Sequence, residues 1–239
     1  MSPARRAPRR VLPAALAVIA VAGAGLALLL ARGGPAAGHG APGGSAGPSP
    51  AGTTLPQVSL AGLRWSAYHG VMLPSSPAAG PRDTSGGLAS GFADTPLGAL
   101  TAALNIAVRA NAQWGPGVYG PTIRGQVTGP YAAALLADCQ ATYAQDSKAA
   151  HVTGGAPLGN AYVTEEAFRW VAWSPAAATV DLVSAAPGSQ GVTVRATVRV
   201  QVTWSGGDWR VVAPPGGDWG NAAAGLSSLS GYTLFPGQE

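Results

Sequence analysis

Cysteine is nearly missing from this chain of 239 residues. A single thiol, Cys139, excludes a disulfide framework, a zinc ribbon and a CxxC redox pair, and the lack of any Cys near the N-terminus excludes a lipoprotein anchor. Charge is scarce as well, at 10% of residues. Such poverty can accompany disorder, but disordered chains are also poor in aromatics, and 7 Trp, 6 Tyr and 3 Phe require a packed core. Acidic residues are absent from the first 32 positions, which hold Arg5, Arg6, Arg9, Arg10 and Arg32. The formal charge of +4 therefore belongs to the N-terminus, because from residue 33 onward 9 basic side chains meet 10 acidic ones. That balance offers no basic excess for phosphate contacts and argues against direct nucleic-acid binding.

What the N-terminal third does contain is a run of 21 residues, 11–31, with no charge and no side chain more polar than Gly. As a helix it is long enough to cross a hydrocarbon core of about 30 Å. Four arginines precede it and one follows, so the positive-inside bias places residues 1–10 in the cytoplasm as a basic tail and the rest of the chain outside. The alternative is a cleaved signal peptide, with Ala22-Gly23-Ala24 as the small-residue site. The run exceeds the about 7–15 residues of a signal's apolar core, which favours an uncleaved anchor in the cell membrane. Ala17, Ala20, Ala24, Ala27 and Ala31 form a small-residue stripe along it that would let two such helices pair as a homo-oligomer.

Residues 32–57 read as a linker. Positions 33–56 hold 8 Gly, 5 Pro and no aromatic, too little apolar area to offset the entropy of ordering. A reach of about 25–30 Å would hold a domain clear of the bilayer. The match to G-x-S-x-G at Gly43-Gly44-Ser45-Ala46-Gly47 lies inside this linker, without the strand and helix a nucleophile elbow needs, and is discarded.

All sixteen aromatics lie at Trp65 or beyond, so one folded domain is expected over residues 58–239. A short strand over 63–68 should lead into a long loop broken by Pro74, Pro77, Pro81 and Gly86-Gly87. Thr95 then caps and Pro96 opens an amphipathic helix over 96–113, with Leu97, Leu100, Leu104, Ala107 and Val108 at helical spacing. A second helix is expected over 130–145. Strands follow at 162–173 and 179–184. In the next strand, over 192–204, Val192, Val194, Ala196, Val198, Val200, Val202 and Trp204 alternate with Thr193, Arg195, Thr197, Arg199, Gln201 and Thr203. Strict alternation means one face on the core and one wet, which is antiparallel-sheet behaviour. Ser205-Gly206-Gly207-Asp208 turns the chain into a partner strand over 209–213. Helices before a meander of strands give an α+β fold with helices packed on one face of an antiparallel sheet.

This layout resembles the membrane-anchored, nuclear-transport-factor-like domains of conjugative transfer machines, the inner-membrane scaffold subunits of type IV secretion systems and their Gram-positive relatives. Three local strings also resemble uncharacterised actinobacterial mobile-element proteins: Gly91-Phe92-Ala93-Asp94-Thr95-Pro96-Leu97-Gly98-Ala99-Leu100, Leu73-Pro74-Ser75-Ser76-Pro77 and Trp204-Ser205-Gly206-Gly207-Asp208-Trp209. The resemblance implies a single N-terminal transmembrane helix followed by a cystatin-like cone of helices on a curved antiparallel sheet. It implies a scaffold role among other membrane-complex subunits, and it carries no functional residue over.

Chemistry is thinly signalled. His39, His69 and His151 are far apart and none has a metal-ligand neighbour at helical spacing, so no metal site or cofactor is expected. Glu165 and Glu166 are adjacent on a strand and point to opposite faces, so they cannot share an acid-base task; one is expected solvated and the other at a strand edge. No Walker loop, dinucleotide fingerprint or H-E-x-x-H occurs, and no catalytic residue is expected. Arg195 and Arg199, four apart on the wet face and about 13 Å from one another, are candidates for an acidic partner surface. Trp209 and Trp219, beside Gly- and Pro-rich turns, are candidates for an aromatic contact, while Trp204 and Trp209 could equally pack across the hairpin. Should the curved sheet enclose a pocket, its base would come from Asp138 with Tyr131 or Tyr143, or from Asp181. The leading expectation is a non-enzymatic, single-pass assembly subunit with its domain outside the membrane; the alternative is a tethered small-ligand or isomerase-like pocket.

Overall fold

The computed structural model describes residues 54–188 and 191–237. The expected basic tail, the span over 11–31 and nearly all of the linker lie outside them. Among the described residues no helix is long and apolar enough to cross a membrane.

Arg64–Tyr68 (β1) and Val71–Ser75 (β2) form a separate two-stranded hairpin. Three helices follow: α1 (Pro96–Arg109), α2 (Pro116–Gln126) and α3 (Ala132–Ala149), with a two-residue strand, β3 (Val127–Thr128), between the last two. The chain then runs through β4 (Thr164–Ser174), β5 (Ala177–Pro187), β6 (Thr193–Ser205) and β7 (Asp208–Val212), and ends with the short strands β8 (Ala223–Gly225) and β9 (Thr233–Leu234). The large sheet has seven strands in the order β3-β7-β6-β5-β4-β9, and β8 pairs with β6.

Helix α1 starts where the sequence places it. Pro96 sits in its first turn and the Thr95 hydroxyl accepts the Gly98 N–H at 3.1 Å, satisfying one of the donors a helix start leaves open. It ends earlier than expected, at Arg109, and it is not amphipathic: every residue from Gly98 to Arg109 is buried. The helix packs on β5, β6 and β7 on one side and on β2 and α2 on others. A helix enclosed on all sides needs its polar side chains satisfied internally. Thr101, Asn105 and Arg109, four residues apart, bond along the helix as a stripe, with the Arg109 Nε left without a partner. Asn105 donates to the carbonyls of Thr101 and of Pro74 in β2, each at 2.9 Å, and accepts from Arg109 at 2.8 Å.

The expected cone of helices on a curved antiparallel sheet, nuclear-transport-factor-like or cystatin-like, is corrected on three counts. The sheet is mixed, because β3 leaves α2 and pairs parallel with β7 through Val127↔Val211 and Thr128↔Val212. Among the described residues there are three α-helices, and α3 lies on α2 and on the turns at Ala112–Trp114 and Pro215–Gly217 rather than forming a layer on the sheet. The segment expected as a long loop contains β2, since a proline is tolerated in a hairpin that no third strand joins.

The strand assignments hold closely in position. On β6 the even residues Ala196, Val198, Val200 and Val202 are buried against α1, while Arg199 and Gln201 face outward. Burying one valine side chain contributes about 1.5–3 kcal/mol, so three in a row fix the register of this strand firmly. From Asp218 to Gly237 the chain packs back on the domain. Trp219 is buried and donates to the Ala110 carbonyl at 3.1 Å, and the chain then returns as β8 and β9.

Candidate functional site

Outward alternation puts Arg169 of β4, Asp181 of β5 and Arg199 of β6 in one row across three strands, in the register Arg169↔Asp181↔Arg199. The side chain of Asp181 is 4% exposed, and both of its oxygens are engaged. Arg199 donates from Nε to Oδ1 at 2.8 Å and from Nη2 to Oδ2 at 3.1 Å, while Arg169 Nη2 donates to Oδ2 at 2.8 Å. Burial alone would push the Asp181 carboxyl up, but the hydrogen bonds and charges of Arg199 and Arg169 outweigh it and hold the group below its ordinary value. The Arg169 and Arg199 side chains are 45% and 53% exposed, and neither Nη1 takes part in the bonds to Asp181. Beside Arg169 the Tyr232 ring stacks at 4.5 Å, and along β6 Arg195 makes a two-pronged pair with Glu166, with Nη2 to Oε1 at 3.0 Å.

A cleft of about 380 Å³ opens over this row. One wall is polar, with Arg169, Asp181, Thr197, Arg199 and Gln201; the other is Val212, Ala213, Pro214 and Pro215, then Asn221 and Ala222 through Ala224. The cleft exists because β7 and β8 share one edge of β6 without meeting. Gln201 pairs with Val212 and Val198 with Ala223, so the register skips Arg199. Peptide groups alternate sides along a strand. On β6 the Trp204 N–H points toward β5, to the Ala176 carbonyl, and the Arg195 carbonyl points away from it, to the Leu226 N–H. The Arg199 N–H and C=O therefore face the gap. Between β8 and β9 the chain passes from the β6 edge to the far edge of β4, and Tyr232 on Arg169 marks its passage over the outer face.

The other residues singled out from the sequence are dispersed. Trp209 is fully buried, packs against Trp204 at 5.4 Å and donates to the Ala93 carbonyl at 2.9 Å; Trp219 is buried too, so neither offers the exposed aromatic surface expected of it. Tyr131, just before α3, and Asp138 on it are exposed, and Tyr143 of α3 donates to the Ala156 carbonyl at 2.7 Å. Partial burial and the neighbouring Asp218 push the Asp138 carboxyl up. None of these three lines the Asp181 cleft, so of the two alternative pocket bases read from the sequence only Asp181 lines it.

Three features escaped sequence reading. Glu165 is not solvated but buried on the core face of β4, where Ser184 donates to its Oε2 at 2.9 Å and burial pushes its carboxyl up to about 7. Arg109 is 5% exposed, with its guanidinium 4.4 Å over the Tyr68 ring and no carboxylate in ion-pair range among the described residues. Asp208 gathers the strings that carried the resemblance. Its carboxylate accepts from Gly91 and Phe92 at 2.8 and 3.0 Å and from Trp209 at 2.9 Å. Close by, a Cβ on Gly98 would lie 1.9 Å from the Ala93 carbonyl oxygen. With Pro74 bonded to Asn105, all three strings meet around α1, and their contacts there are structural. His69 stacks on Trp114 at 5.4 Å, and no group of three metal-ligating side chains occurs among the described residues.

Comparison with curated proteins finds no match, and comparison with solved structures finds none. The model of one family, described as a domain of unknown function, DUF8175, matches residues 30–234, which include every strand and helix above, and the chain belongs to that family.

Proposed function

We propose that this chain is a single-pass membrane protein whose C-terminal domain serves, outside the membrane, as a non-enzymatic binding subunit of a membrane complex. A conjugative transfer machine is the complex this reading names. The apolar run at 11–31, its arginine bias and the Gly/Pro linker support the anchor.

One observation carries the binding role. The outer face of β4 to β7 presents four arginines, Arg169, Arg195, Arg199 and Arg210, against the two carboxylates Glu166 and Asp181. The excess of two positive charges sits in a chain whose 9 basic and 10 acidic side chains beyond residue 32 nearly balance, so the rest of that region is acidic and this face stands apart as one that suits an acidic partner surface. Asp181 suits structure better than proton abstraction, because a carboxylate held ionised by two guanidinium groups is a weak base.

The test is a crosslinking pulldown of the full-length protein from its own membranes, read by mass spectrometry beside a version lacking 11–31. Recovery of other membrane-spanning and ATPase subunits with the anchored form alone is the expected result. Recovery of the protein by itself from both would defeat the assembly role.

A further inference from the structure

The cleft over Arg199 has a composition that specifies more than a generic acidic face, and the argument here rests on the binding role just proposed. Its charges sum to one net positive: two guanidinium groups and a single, buried carboxylate that is fully engaged from below. Asp181 thereby fixes the orientation of both arginines. With Arg199 holding it through Nε and Nη2, and Arg169 through Nη2, the Nη1 groups of both side chains remain for a second acceptor, and both side chains are about half exposed. One net charge matches a carboxylate, whereas a phosphate dianion would meet Asp181 with one negative charge too many.

The remaining surfaces describe what carries that carboxylate. Opposite the arginines the wall is Val212, Pro214, Pro215 and a row of alanines, which accommodates small apolar groups. At the floor the peptide group of Arg199 faces the gap with no register partner in β7 or β8. Beside it the Thr197 hydroxyl is buried without a hydrogen-bond partner. A ligand that offers one carboxylate, backbone amide groups and small side chains satisfies all three features. Because Val212 and Ala223 close the gap at both ends, a strand cannot be added along β6 here. The occupant has to cross the outer face and project an acidic side chain inward.

We propose that this cleft is the recognition pocket for one Asp or Glu side chain of an extended, alanine-like segment belonging to a protein partner. Arg199 and Arg169 take the carboxylate as a charge-assisted pair, and the Arg199 peptide group and Thr197 take the backbone beside it.

The test uses the full-length protein in detergent, titrated calorimetrically with the blocked peptide acetyl-AAEAA-amide, its Gln counterpart and succinate. Expected is binding of the Glu peptide at least tenfold tighter than of the Gln peptide. The preference should be lost in Arg199→Ala and weakened in Arg169→Ala; because each leaves the buried Asp181 short of a partner, the double variant Arg199→Gln with Asp181→Asn, which buries no unpaired charge and whose fold is checked by circular dichroism, should lose the preference as well. Equal binding of the two peptides, no binding of either, or an unchanged preference in Arg199→Ala overturns the pocket while leaving the assembly role to the crosslinking comparison. Succinate binding as tightly as the Glu peptide overturns the protein partner as the source and makes this a site for a free small carboxylate.

Discussion

At the scale of single residues, Glu165 and Asp181 show how the same side-chain chemistry diverges with environment. The two lie on neighbouring strands, but Asp181 faces two guanidinium groups and Glu165 faces Ser184 within the core. For Glu165 the folded-state value is raised from 4.5 to about 7, so between those limits the folded protein holds a proton the unfolded chain has released. Stability is therefore whole below the lower limit and falls as pH rises toward the upper one, by on the order of 3 kcal/mol for a shift of this size. Urea unfolding at pH 5 and pH 8 should show this loss in the parent and a flatter profile in Glu165→Gln; parallel profiles would mean that Glu165 does not titrate in this window. Strand alternation put Glu165 and Glu166 on opposite faces in the sequence itself. Which face was dry depended on what covers β4, and that includes the C-terminal Phe235 and Leu229, lining one hollow with Glu165 from some 65 residues away.

At the scale of elements, the turn between β6 and β7 does more than reverse the chain. Asp208 clasps the segment leading into α1, and Trp209 completes the clasp through Ala93, joining elements about 115 residues apart in sequence. Removing a carboxylate that accepts three backbone N–H groups leaves them with no acceptor in a part-buried site. Asp208→Ala should cost about 2–4 kcal/mol, read as a drop in thermal midpoint with the native circular dichroism retained at low temperature. A shift of less than about 0.5 kcal/mol would show that the clasp contributes little. Helix α2 carries the opposite lesson. Five of its eleven residues are Gly or Pro, which reads as a break in sequence, yet Pro116 fits the first turn and burial of Tyr119 and Ile123 outweighs the poor propensity and the hydrogen bond lost at Pro121.

At the scale of the whole molecule, one core links the hairpin, all three helices and the sheet, reaching from Val71 to Phe235. Cys139 lies in that core, on the side of α3 turned toward Ala110, and burial with the nearby Asp138 pushes its thiol up to about 12. The thiolate is the reactive form, so the native protein should resist a disulfide reagent at pH 8. Labelling should rise with urea in step with loss of circular dichroism, since access to Cys139 requires α3 to leave the core. Rapid labelling without urea would show that α3 detaches on its own. The outer face is the functional counterpart of this arrangement: the core fixes β4, β5 and β6, and they hold Arg169, Asp181 and Arg199 in one row.

The sequence by itself determined the layout of an apolar run, a Gly/Pro stretch and an aromatic-bearing domain, the start of α1, and the long alternating strand with its inward and outward residues. These follow from local patterns of period 3.6 or 2 and from the shapes of Thr, Pro and Gly, which need no distant partner. Tertiary structure alone decided that α1 is enclosed, that β3 joins β7 in parallel, that Trp209 and Trp219 are buried, and that Arg169 reaches Asp181 beside Arg199. Each of these is a contact between segments far apart in the chain. Periodicity records whether a residue points inward or outward, but the partner it meets there is set only when separate elements pack.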